Sequence, residues 1–258
     1  MSAYLLIPLA ALVTAGLTLF SGFGLGTLFL PVFALFFPLE VAIAATAVVH
    51  LANNLFKVAL LGKYADRGVI LRFGLPAIAA AYLGARSLVW LGELPPLLTY
   101  HWGGRTLEVA PVKLVVAVLM VGFALLEAAP AGEKFTLERK FLPLGGVLSG
   151  FFGGLSGHQG ALRSACLLRC GLGKESFIGT GAAIATLVDL SRLAVYIHRF
   201  FFPSLQAQAG ILAAAVAAAL TGTFTGSRLL GRVTFRSIRI LVSVLLGGVA
   251  LGLATGLL

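Results

Sequence analysis

The sequence predicts an all-α polytopic membrane protein, and three observations carry that prediction. Of 258 residues, 59% are hydrophobic and only 11% charged, where a soluble domain carries about 25% charged residues. The charges also leave long stretches empty. Apart from Glu40, residues 1–56 hold no Asp, Glu, Lys or Arg, and residues 141–162, 200–227 and 240–258 hold none at all. A membrane span needs roughly 20 apolar residues, and these windows supply that length. Finally, the basic residues lie between apolar segments, as cytoplasmic loops do under the positive-inside rule. The net charge of +10 is thereby explained without nucleic acid as a partner. The lipid bilayer is the partner this composition requires.

The apolar segments run over about 4–20, 27–37, 39–62, 73–91, 111–130, 141–156, 160–172, 174–198, 208–227 and 240–257. Residues 63–72, 92–110 and 131–140 read as connectors, the last being the most charged stretch. No low-complexity linker divides the chain, so residues 1–258 form one transmembrane domain, with a first repeat at 1–130 and a second at 131–258. The N-terminus lacks a basic n-region and its apolar sequence runs on, which argues against a cleaved signal peptide. Cys166 and Cys170 are four apart and read as small packing residues, supporting neither a disulfide framework nor a metal cluster. No metal or cofactor is expected.

The two halves resemble each other. Ser21-Gly22-Phe23 answers Ser149-Gly150-Phe151, and, with a seven-residue shift, Glu40, Asn54 and Lys57 answer Glu175, Asp189 and Arg192. In each half a Gly-rich break precedes a short apolar piece and then a full helix with polar residues at its centre. Gly-interrupted segments at corresponding places in two halves point to a transporter binding site. Segments 4–37 and 141–172 are too long for straight helices in a hydrocarbon core about 30 Å thick, so each must break, at 21–27 and at 153–160.

Charge decides how the second break is used. If 141–172 returns to the side it left, three connectors fall together: 63–72 (Lys63, Arg67, Arg72), 131–140 (Lys134, Arg139, Lys140) and 228–239 (Arg228, Arg232, Arg236, Arg239), with Arg169 and Lys174. Only Arg86, Arg105, Lys113 and Arg199 remain opposite, a good positive-inside pattern. Three full crossings (39–62, 73–91, 111–130) then separate the two breaks, an odd number that inverts the second repeat; re-entry of the first hairpin is inferred from the repeat alone, since it has no charges to test it. The expectation is an inverted repeat, each half a broken re-entrant helical hairpin followed by three transmembrane helices.

Polar residues at membrane depth are costly and face a bundle interior or an aqueous cavity. His50, Asn53, Asn54 and Lys57 recur at helical spacing on one face, and Thr180, Thr186, Asp189 and Arg192 repeat the arrangement. The competing readings are hydrogen-bonded packing between helices, snorkelling for Lys57, and a purely structural ion pair for Asp189 and Arg192. The second break holds Ser156, Gly157, His158, Gln159, Gly160 and Arg163. A half-helix starting near Gly160 would aim its N-terminal dipole and free N–H groups into the turn, a natural anion site. Arg163 adds a permanently charged planar fork, and His158 is the kind of side chain that couples transport to protons. Gly24, Gly26 and Thr27 occupy the corresponding place in the first break.

SGFGLGTLFLPVFALF and, more specifically, GGVLSGFFGGLSGHQGALRSACLLRCGLGKESFIGTGAA resemble the two halves of the TauE/SafE sulfite-exporter family of permeases. The resemblance covers nearly the whole chain apart from 92–110. It implies a permease of the bacterial cytoplasmic membrane that moves small sulfur-containing anions such as sulfite or organosulfonates, built as an inverted repeat with two broken hairpins. The expected function is therefore a secondary transporter of a small anion working by alternating access, with proton coupling as an option. Gly24, Gly26, Thr27, Ser156, Gly157, His158, Gln159, Gly160 and Arg163 would bind the anion. His50, Asn53, Asn54, Lys57, Asp189 and Arg192 would line the path or couple it. The rival readings are an uncoupled anion channel and an intramembrane enzyme using His50, His158 or Asp189 as base; no catalytic or metal-ligand motif supports the latter.

Overall fold

Large apolar side chains lie on the outside of this protein, and a cluster of polar and charged ones is buried inside its largely apolar core. The computed structural model describes all residues except Met1, 22–24, 129–137, 198–207 and 230–234. Leu5, Leu83, Leu125, Val244 and Leu251 are among many large hydrophobic side chains that point outward, while His50, Asn53, Asp189 and Arg192 are buried. A water-soluble monomer does not expose apolar surface on that scale. A protein solvated by lipid does.

The chain is all-α apart from one small hairpin. Helices α1 (Ser2–Ser21) and α2 (Leu25–Ala34) form the first broken segment, followed by α3 (Leu39–Leu61). A short 3-10 turn at Gly62–Tyr64 ends α3. Asp66 then caps the next helix, its carboxylate accepting the Val69 N–H at 2.9 Å, which is the usual way a first helical turn is satisfied. From there α4 (Arg67–Val69) passes through a π-helical stretch at Ile70–Gly74 directly into α5 (Leu75–Glu93). The expected connector at 63–72 is therefore mostly helix, and the true link is only residues 62–66.

After α5 comes a feature the sequence reading did not anticipate. Leu98–Trp102 (β1) and Arg105–Val109 (β2) pair antiparallel across Gly103-Gly104, with Trp102 opposite Arg105. Both glycines have positive φ, 59° and 75°, which is what a tight two-residue hairpin turn requires. The hairpin rests on the chain's C-terminal end, where the Tyr100 hydroxyl donates to the Thr255 carbonyl at 2.5 Å. Helix α6 (Pro111–Ala128) closes the first half. The second half holds α7 (Leu142–Ser156), α8 (Gly160–Leu167), α9 (Lys174–Tyr196), α10 (Ala209–Leu229) and α11 (Phe235–Ala254).

Among the described residues, four helical stretches are long and apolar enough to cross a membrane: Leu39–Tyr64, Arg67–Glu93, Lys174–Tyr196 and Ala209–Gly226. Pro111–Leu126 and Ser243–Ala254 are apolar but shorter over the described residues. Helix α5 packs along α7 and α1 along α10; α3 crosses α9, and α6 lies against α11. Glycine makes two of these contacts possible. On α7, Gly146, Gly150 and Gly154 lie against the backbone carbonyls of Phe73, Ala77 and Ala81. On α10, Gly222 and Gly226 meet Leu12 and Gly16 of α1 in the same way. With lipid as apolar as leucine, close backbone approach of small residues is what holds such helices together.

The segment at 141–172 doubles back on itself. Ser149 Oγ donates to the Gln159 carbonyl at 2.9 Å, and a methyl group added to Gly145 would meet the Cys166 sulfur. The chain thus retraces α7 while running along α8. The break is narrower than the glycine run suggested. Gly153 and Gly154 are helical, and only Gly157, His158 and Gln159 lie between the helices. Gly157 takes φ 81° and its N–H reaches the Gly153 carbonyl at 3.0 Å, a left-handed helix ending that suits glycine.

Candidate functional site

Asp189 lies at the crossing of α3 and α9, fully buried, and four side chains donate to it. His50 Nδ1 donates to Oδ2 at 2.7 Å and Asn54 Nδ2 to the same oxygen at 3.2 Å. Gln159 Nε2 reaches Oδ1 at 3.1 Å, and Arg192 reaches it twice, from Nε at 3.0 Å and Nη2 at 2.8 Å. Such a set of donors is what an ionised carboxylate needs in an apolar interior. Asn54 and Asp189, matched by the repeat, thus meet each other directly.

Arg192 also faces the end of α7. Its Nη1 donates to the Gly153 carbonyl at 3.2 Å, and the Tyr196 hydroxyl donates to the Gly154 carbonyl. The last carbonyls of a helix lack intrahelical partners and carry its negative dipole end. Arg192 and Tyr196 supply both donors and charge there, so α9 fixes the tip of the α7–α8 hairpin.

Gln159 carries the network onward. Its amide oxygen accepts from Arg163 Nη1 at 3.2 Å while its amide nitrogen serves Asp189. Arg163 is buried and lines a small cleft of about 40 Å³ together with Thr18, Asn54, Lys57, Ser164 and Gly181. Lys57 is also buried and lines the same cleft. Neither Lys57 nor the rest of the Arg163 fork has a protein acceptor among the described residues. Gly181 leaves room beside the guanidinium, its nearest contact there being Arg163 Nε. Phe177 and Ile178, from the start of α9, and Leu167, from the end of α8, complete the wall. The cleft lining thus includes residues near the end of α3, the end of α8 and the start of α9.

The other expected anion ligands fall elsewhere. Gly24 lies outside the described residues. Gly26 and Thr27 sit in the first turn of α2, both buried, with Gly26 against the Gly157 carbonyl. A Cβ added at Gly26 would lie 3.0 Å from the Gly157 carbonyl oxygen, so the start of α2 abuts the α7–α8 break. Ser156 Oγ donates to the Phe152 carbonyl at 3.0 Å, and His158 Nδ1 lies 3.1 Å from that hydroxyl. The His158 ring stacks on Phe123 at 5.3 Å, away from the cleft wall. Gly160 is the first residue of α8, behind Arg163. Asn53 accepts from Thr223 Oγ1 at 2.6 Å, joining α3 to α10. Thr180 accepts the Asp66 N–H at 2.8 Å and Thr186 bonds its own helix, so neither joins the Asp189 network. Tyr196, Thr223, Thr18 and Ser164 leave no mark in the sequence, because isolated hydroxyls in apolar helices carry no signal of their own, and Ser149 is marked only by the Ser-Gly-Phe repeat.

The family model for the sulfite exporter TauE/SafE matches residues 7–253. The chain belongs to the TauE/SafE family. No curated protein matches it. The assignment spans both broken segments, the Asp189 network and the cleft. A TauE/SafE chain with four long apolar helices is a multi-pass membrane protein, and its family is one of transporters. No group of three potential metal-ligating side chains occurs among the described residues.

Proposed function

We propose that this TauE/SafE protein is a secondary transporter that carries a small oxyanion of sulfur, sulfite or an organosulfonate, across the bacterial inner membrane, and that the anion binds in the Lys57–Arg163 cleft. One observation carries the proposal. The buried cluster holds Lys57, Arg163 and Arg192 but only one carboxylate, Asp189, and that carboxylate is occupied by its donors. Two positive charges are left over where solvation is poor. An unpaired buried charge is unfavourable, and an anionic guest relieves it. Arg163 presents a fork suited to oxyanions, and Asn54 and Ser164 offer further polar contacts.

The packing supports the inverted-repeat reading. Exchanging α1 with α7, α2 with α8, α3 with α9, α5 with α10 and α6 with α11 turns the main list of packed pairs into itself. In that reading residues 1–130 and 131–258 are the two repeats, both hairpins are re-entrant, and α3 and α9 cross on the pseudo-twofold. The close approach of Gly26 to the Gly157 carbonyl supports alternating access over an open channel, because a path between the two breaks would require them to part. Rocking one repeat against the other would part the two tips. The His50–Asp189 pair, bridging the repeats at that crossing, is the place where a proton gradient would act. The intramembrane-enzyme reading has less support, since Ser156 and His158 are bonded within their own turn and do not line the cleft.

The test is uptake of radiolabelled sulfite by proteoliposomes containing Arg163→Ala. Uptake should fall to that of protein-free vesicles while the variant still elutes as folded protein. Wild-type uptake by a folded variant would remove Arg163 from the binding site.

A further inference from the structure

Lys57 and Arg163 stand on different elements, α3 and α8, and the reading above assigns those to different repeats. Each is buried and faces the same cleft. A singly charged guest compensates one of them and leaves the other buried without a counterion. A doubly charged guest compensates both and bridges the two elements that must move relative to each other. Arg192 does not compete for the guest, because it is not among the cleft-lining residues and its guanidinium is engaged with Asp189 and the Gly153 carbonyl. From this charge count we infer that the cleft selects dianions over monoanions of the same shape, with Lys57 reading the second charge. The inference rests on the cleft being the anion site proposed above. It narrows the substrate class to sulfite in its doubly deprotonated form, or a sulfonate bearing a second anionic group, and sets simple alkylsulfonates aside.

Sulfite and chlorate make the test sharp, since both are small pyramidal XO3 anions and differ by one charge. Chlorate is the more easily dehydrated. A site that merely strips water therefore prefers chlorate, whereas a site that matches two charges reverses that order. Binding of each anion to the full-length protein in lipid nanodiscs would be measured by titration calorimetry, at constant ionic strength and a near-neutral pH where sulfite is mostly dianionic and Lys57 still carries its proton. Sulfite should bind more tightly by roughly tenfold or more, as expected for one additional charge pair at partly buried depth. Lys57→Gln should bring the ratio toward one, and Lys57→Arg should keep it. Chlorate binding as tightly as sulfite, or two chlorates saturating one protein, would overturn the dianion inference while leaving the anion site in place. Absence of both binding and flux for either anion would instead overturn the site itself. The wild-type ratio decides the matter even where a Lys57 variant fails to fold.

Discussion

Asp189→Ala unfolds this protein at a much lower temperature than the wild type, or prevents its accumulation in the membrane. The substitution strands Arg192 and leaves Gln159, His50 and Asn54 without their common acceptor. Removing one partner of a buried ion pair costs about 3–5 kcal/mol, a large part of a typical folding free energy. Asp189→Asn, which keeps shape and one acceptor oxygen, should lose less. Replacing both partners, as in Asp189→Leu with Arg192→Met, should recover part of the loss, because no lone charge remains. Thermal unfolding of the purified variants in one detergent checks the order. Equal stability of Asp189→Ala and wild type would show that the network does not hold α3, α9 and the hairpin together.

Gly154→Val abolishes the fold by a different route. A Cβ at Gly154 would overlap the Ala81 carbonyl oxygen and lie 2.8 Å from its carbon, both backbone atoms of α5. Backbone cannot turn aside as a side chain can, so α5 and α7 must separate. Overpacking of this kind costs about 3 kcal/mol or more, and the separation also pulls the Gly154 carbonyl from Tyr196. Gly122→Val is the matched control, since nothing lies within 4 Å of a Cβ there. Size-exclusion profiles should show the Gly154 variant aggregated and the Gly122 variant monodisperse. Two monodisperse profiles would mean that α5 and α7 are not packed as closely as described.

Much of this fold was legible because bilayer physics writes it in coarse symbols. Charge-free windows marked the spans, and the length of 141–172 forced a break that the structure places at Gly157–Gln159. Individual glycines were harder to read. Gly153 and Gly154 look like part of the turn, yet they serve helix packing, and only a neighbouring backbone distinguishes the two roles. The β-hairpin did leave a sign, Gly103-Gly104 between aromatic and β-branched residues, but a span-based reading treats everything between spans as connector.

The site was legible as a set of residues and not as an arrangement. His50, Asn54, Gln159, Arg163, Asp189 and Arg192 do converge. Lys57 was harder to assign, because four residues from the end of α3 a lysine snorkels as readily as it binds. Its meaning comes from Arg163 across the cleft and from the absence of a side chain at Gly181, neither of which helical spacing on α3 can reveal. Ser156 and His158 looked like ligands by their place in the break, and the stacking of His158 on Phe123 turns them inward.

The central claim is that a small oxyanion binds between Lys57 and Arg163. The most direct measurement is a structure of the protein with selenite, whose selenium locates itself by anomalous scattering and whose shape and charge stand in for sulfite. The account predicts one dominant anomalous peak in the cleft, within hydrogen-bonding reach of both the Lys57 ammonium and the Arg163 guanidinium. A dominant peak elsewhere, with the cleft empty at a selenite concentration that inhibits sulfite uptake, would contradict it.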